Sequence, residues 1–125
     1  MNPIGQGAAL LAAAIHVFIF ILESVRFLEP STYRRFHVES ERDALLLRPI
    51  FFNQGFYNLF LAVGAAGGVL VLNLGYLEAG RTLVLFACGS MTLAGLILMF
   101  TDRRFLRAGL LQATPPFVAM LFLVF

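Results

Sequence analysis

The sequence predicts an all-α membrane protein, with four transmembrane helices in an antiparallel bundle. Three observations carry that fold: an apolar composition, four apolar runs of spanning length, and arginines gathered in two of the three connections. Of 125 residues, 60% are hydrophobic and 13% charged, against about 45–50% apolar and about 25% charged in soluble domains. Mean hydropathy is +0.88. A chain of this length forms one unit, and its solvent is lipid.

The apolar runs cover residues 4–28, 49–72, 82–101 and 108–125. Each reaches or approaches the roughly 20 helical residues needed to cross a hydrocarbon core of about 30 Å. Lipid satisfies no backbone hydrogen bond, so these runs must be helices. Two of their links are short, which favours antiparallel neighbours. Met1-Asn2-Pro3 carries no basic side chain ahead of the first run, so a cleaved signal peptide is not expected.

The connection at 29–48, EPSTYRRFHVESERDALLLR, is the longest. Pro30 followed by Ser31 and Thr32 reads as a helix start. Its interleaved charges, among them Arg34, Arg35, Glu39 and Asp43, read as a solvated face, and His37 as a surface histidine. Net charge is +2 and every basic residue is an arginine. Eight of the nine arginines lie in or beside the first and third connections; only Arg81 lies in the second. The positive-inside rule therefore puts the 29–48 loop in the cytoplasm and both termini outside, in a bacterial inner membrane. No clustered basic face suggests nucleic acid.

Orientation assigns depths. Glu23 lies about five residues short of the inner end of the first span, some 7–8 Å at 1.5 Å per residue. Asn53 and Gln54 enter the second span at a comparable depth, Gln112 enters the fourth, and Tyr57 and Asn58 lie one turn deeper. His16 is two turns from Glu23, near the middle. On the first helix Gly5, Ala9, Ala12, His16, Glu23 and Phe27 fall in a stripe roughly 60–80° wide. On the second, Asn53, Gln54, Tyr57, Gly64 and Gly68 lie within about 100°, with Asn58 toward the edge. Gly64 and Gly68 form a small-residue contact signature expected opposite Ala9 and Ala12. Cys88, Thr92, Gly95 and Met99 line one stripe of the third helix. Pro115-Pro116 should kink the fourth.

A carboxylate at this depth costs a few kcal/mol, so Glu23 should face the bundle and have a partner. Glu23 and His16 are the candidate acid–base pair, with a water or substrate between them. Asn53, Gln54, Tyr57, Asn58 and Gln112 are the candidate ligand-binding groups. The plainer alternative is that these polar side chains only join helices, at about 0.6 kcal/mol each, with Arg26 or Arg48 pairing Glu23. One His and one Glu two turns apart do not make a metal site. The single cysteine, Cys88, supports neither a disulfide framework nor zinc. A haem on His16 is compatible with a bundle but nothing else demands it, and the cofactor is left unknown.

His16-x6-Glu23 (HVFIFILE), followed by NQGFYN from Asn53, resembles the small bacterial and fungal membrane proteins catalogued as domain of unknown function 1304. The likeness extends over nearly the whole chain and includes Gln112 in LLQATPP, although Ala113 stands where relatives more often carry Gly. It implies four helices and a shared polar motif at His16, Glu23, Asn53, Gln54, Gly55, Tyr57 and Asn58. It implies no reaction.

The functional expectation is an intramembrane polar pocket in the cytoplasmic half that binds a lipophilic small molecule. Acid–base chemistry of an isomerase or hydrolase type would follow there. The alternatives are a non-catalytic accessory subunit of a larger membrane complex and a small proton-coupled carrier, the latter needing oligomerisation.

Overall fold

Asn2 and Pro3 start the first helix of the protein in this computed structural model, which describes residues 1–124. Asn2 Oδ1 accepts from the Gly5 amide at 2.9 Å, and Pro3 takes the first helical position, where a missing N–H leaves no bond unmade. Helix α1, Pro3–Phe20, passes directly into a π turn, Ile21–Val25. The Arg26 amide donates to the Ile21 carbonyl at 2.9 Å, the i→i+5 bond of that wider turn.

The expected start at Pro30 is a short helix α2, Pro30–Tyr33, followed by a 3₁₀ turn, Arg34–Phe36. His37, exposed as expected, ends that turn with φ 62°. Helix α3 covers Glu41–Asn73 and so takes in residues 41–48 of the expected loop. Two features start it early. Ser40 Oγ accepts from the Asp43 amide at 3.1 Å, and Glu41 and Asp43 place negative charge on the first turn. Pro49 lies inside the helix without ending it. Gly75, at φ 101°, does end the chain's helical course. The Tyr76 amide reaches the Val71 carbonyl at 3.2 Å and the Gly75 amide the Leu72 carbonyl at 3.1 Å, a closure that needs a left-handed residue.

Helix α4, Leu77–Thr101, is followed by a 3₁₀ turn, Arg103–Phe105, and helix α5, Leu106–Val124. Asp102 accepts from the Arg104 amide at 2.9 Å and pairs with its guanidinium at 2.8 Å. Pro115 and Pro116 lie within α5, which stays helical through both. No strand occurs among the described residues. Four helical stretches are long and apolar enough to cross a membrane: Pro3–Val25, Glu41–Asn73, Leu77–Thr101 and Arg103–Leu123.

Contacts divide the chain into two compact units: Met1–Ile15 with the chain from Leu61 onward, and His16–Phe60. The core of the first unit is built of small side chains, Ala9, Ala12, Ala13, Ala62, Ala65, Ala87 and Ala119, filled in by Val69, Val84, Cys88 and Met91. Small residues let backbones approach where lipid supplies no hydrophobic drive. Helices α4 and α5 meet this way: a Cβ added at Gly109 would lie 2.7 Å from the Gly95 carbonyl oxygen. Gly64 and Gly68 face Ala87 and Val84 of α4, which corrects their expected placement opposite Ala9 and Ala12. On α4 Cys88, Thr92 and Gly95 are buried and Met99 is half-buried, as the stripe predicts.

The second unit has a different core. Phe27, Tyr33, Val38 and Ala44 are buried together, with Phe36, Leu47 and Phe51 packed against them. Phe27 and Phe51 stack with centroids 4.2 Å apart, and Phe36 meets Phe51 edge-on at 5.1 Å. The apolar residues of the first connection thus fold back as a small aromatic core.

Candidate functional site

All six residues of the stripe expected on the first helix, Gly5, Ala9, Ala12, His16, Glu23 and Phe27, are buried. Glu23 is 5% exposed and sits in the π turn. That turn also buries its neighbour Ser24. Ser24 Oγ donates to the Phe52 carbonyl at 2.7 Å, fixing the π turn to the first half of α3.

Gly55 makes the approach possible. A Cβ there would collide with Ser24 Oγ and lie 3.0 Å from Ser24 Cβ and 3.1 Å from Ser24 N. With the backbones this close, Asn58, one turn on, meets Glu23: its Nδ2 donates to Glu23 Oε1 at 2.6 Å. The same nitrogen donates to the Gln54 carbonyl at 3.2 Å. The first bond is as short as charge-assisted ones.

The expected partners of Glu23 are engaged elsewhere. Arg26 pairs with Glu29 at 3.4 Å, and the Arg48 guanidinium lies over the Phe52 ring, 5.5 Å from its centroid. His16 is 1% exposed, seven residues before Glu23 on the same chain segment. The hydrogen-bond partner of Glu23 is Asn58.

The inward face of α3 differs from the expected one. Asn53, Gln54 and Tyr57 are exposed, whereas Ala44, Gly55, Ala62, Ala65, Val69 and Leu72 are buried and Asn58 is half-buried. From Gly55 onward these positions recur at three- and four-residue steps, the spacing of one helical face. Grouping α3 by polarity pointed its amides inward; the face that packs is the one whose side chains are small enough. Of the five expected ligand-binding residues, Asn58 is joined to Glu23, Gln54 contributes its carbonyl to Asn58, and Asn53 and Tyr57 lie outward. Gln112 is half-buried on α5 and belongs to the first unit.

Sequence reasoning missed Ser24 and the contact that Gly55 makes with it. The signal was present in both: a hydroxyl beside the one acidic residue of an apolar run, and a glycine between amides. Nothing in the sequence marked the π turn that brings Glu23 and Ser24 to the same side. A separate open groove of about 310 Å³, lined by His37, Val38, Glu39, Asp43, Leu46 and Leu47, contains none of these residues.

The family model for a protein of unknown function, DUF1304, matches residues 10–124. The match spans nearly the whole chain and agrees with the resemblance carried by HVFIFILE and NQGFYN. No curated protein and no solved structure matches the chain. The chain belongs to the DUF1304 family.

Proposed function

We propose that this DUF1304 family member binds a lipophilic small molecule within the membrane, with Glu23 and Asn58 at the ligand's polar end. Glu23 takes up and returns a proton on the bound molecule, chemistry of an isomerase or hydrolase type. His16 is the complementary acid or base, acting through the ligand or a water across roughly 10 Å of helix. One observation carries this reading: a carboxylate 5% exposed, with one oxygen held by an amide at 2.6 Å. An ionisable group in a spanning helix is costly and marks function by default. Apolar surroundings with a few convergent polar groups are the usual make-up of a small-molecule site. The arginine distribution supports an inner-membrane chain with both termini outside and the site in the cytoplasmic half.

A second reading has its own support. The Ser24–Phe52 bond and the close fit of Gly55 are features of packing, and on that reading Asn58 only satisfies Glu23 within a non-catalytic accessory subunit.

Extracting the protein in mild detergent and identifying the lipid-soluble molecules that stay with it separates the two. The wild type should retain one compound, distinct from bulk lipid, near one per chain. The double variant Glu23→Leu/Asn58→Leu, which removes both polar partners together, should lose it while keeping its helical content. Identical extracts from the two proteins would overturn the proposal in favour of the packing reading.

A further inference from the structure

The hydrogen-bond inventory of the Glu23–Asn58 pair carries a statement about its ligand. It rests on the site proposed above and concerns which head group that site accepts. Asn58 Nδ2 bears two hydrogens, and both are engaged: one on Glu23 Oε1, the other on the Gln54 carbonyl. The backbone carbonyl only accepts, so the orientation of the Asn58 amide is fixed by its partners and not by choice. What the pair presents beyond itself, while Glu23 is a carboxylate, is therefore Asn58 Oδ1 and Glu23 Oε2. Neither receives a donor among the described residues. Every fully buried side-chain nitrogen or oxygen among those residues has a partner, so these two oxygens are not completely enclosed.

Aromatic residues adjoin the pair in sequence, Phe20 before Glu23 and Phe56 before Asn58. Phe20 meets Phe56 edge-on at 5.0 Å, and Phe56 meets Phe52 at 5.1 Å. The one nearby hydroxyl, that of Ser24, spends its hydrogen on the Phe52 carbonyl. Arg26 is paired with Glu29, and Arg48 lies over the Phe52 ring.

We infer that the site selects lipophilic molecules whose polar end donates hydrogen bonds, a long-chain amine or alcohol, over those whose polar end only accepts, such as an ester. An ammonium donates to both oxygens and a hydroxyl to one of them; an ester leaves both unpaired and adds its own lone pairs against them. An acceptor that a ligand covers without supplying a donor costs its full desolvation penalty, which is what makes such discrimination steep.

Substitution of Glu23 by Gln reverses the pattern. Asn58 still requires an acceptor, so the new carbonyl takes the place of Oε1 and the new NH₂ takes the place of Oε2. The side chain then offers donors where the wild type offers an acceptor.

The test is native mass spectrometry of the full chain in detergent, with dodecylamine, dodecanol and methyl dodecanoate at equal concentration. Wild type should retain the amine and the alcohol over the ester by roughly tenfold or more, the discrimination of one unmade hydrogen bond. Glu23→Gln should lose that preference and favour the ester. Ester retained equally or better by the wild type overturns the inference and leaves the site standing. Retention of none of the three by the wild type overturns the site itself. The wild-type comparison needs no variant, so a Glu23→Gln protein that fails to fold does not shelter the inference.

Discussion

The two units of this chain solve the problem of packing in lipid in opposite ways. The first buries mostly alanines and lets glycine backbones touch, so its core contacts are chiefly dispersion and shape. The second spends its interior on three clustered phenylalanines, a hydroxyl, an amide and a carboxylate, and its π turn is irregular where the first unit's helices are regular. A polar interior is the less economical route to a fold, because each buried group needs a partner. Besides His16 and Thr32, the second unit concentrates its buried polar groups between the π turn and the first half of α3. That contrast is the physical reason to look for function in the second unit and for stability in the first.

The comparison can be broken most severely in the first unit. Gly109→Leu drives a side chain into the Gly95 carbonyl and should destabilise the protein by about 3 kcal/mol or more. Loss of monodisperse protein in detergent is the expected outcome, and wild-type behaviour would mean that α4 and α5 are not in backbone contact.

In the second unit, Gly55→Ala should cost about 2 kcal/mol by overpacking against Ser24. Because the worst collision is with Ser24 Oγ, Ser24→Ala should return about 1 kcal/mol of that in the double variant, although alone it removes a hydrogen bond. Denaturant titrations of the four proteins read the coupling; simple additivity would mean that the two residues do not touch.

The polar pair should give a smaller and more instructive effect. Asn58→Leu leaves Glu23 buried without its donor and should cost about 1–3 kcal/mol. Glu23→Leu/Asn58→Leu removes the whole pair, and its stability should return close to wild type or exceed it. If the double variant is the less stable protein, the pair serves packing and the contrast between the units disappears. Smallest of all, Tyr57→Phe should change unfolding by no more than about 0.5 kcal/mol, because Tyr57 is 68% exposed.

Much of this was legible in the sequence. Apolar run length gave the four spans, since lipid permits little else. The small-residue stripe from Gly5 to Phe27 placed His16 and Glu23 on a buried face, because helical periodicity and size agree along that helix. Helix α3 was harder. In its first half the polar residues Asn53, Gln54 and Tyr57 and the small residue Gly55 lie on different faces, and polarity is the wrong guide where close approach decides which face packs. Asn58 is the residue that satisfies both criteria, lying one turn from Gly55 and within reach of Glu23. The π turn left no mark in the sequence at all. It is a one-residue change in hydrogen-bond register, which composition and periodicity average away. The early start of α3 was written in Ser40, Glu41 and Asp43 but was masked by Pro49, which normally signals a beginning rather than an interior position.

The most direct measurement is solid-state NMR of the protein in bilayers, with the Glu23 carboxyl carbon and the Asn58 side-chain nitrogen labelled. A dipolar contact between the two labels is expected, together with a shift of the Glu23 carboxyl resonance when the co-purifying lipophilic molecule is stripped and its restoration when dodecylamine is added. No contact, or a carboxyl resonance indifferent to both treatments, would contradict a ligand site built on Glu23 and Asn58.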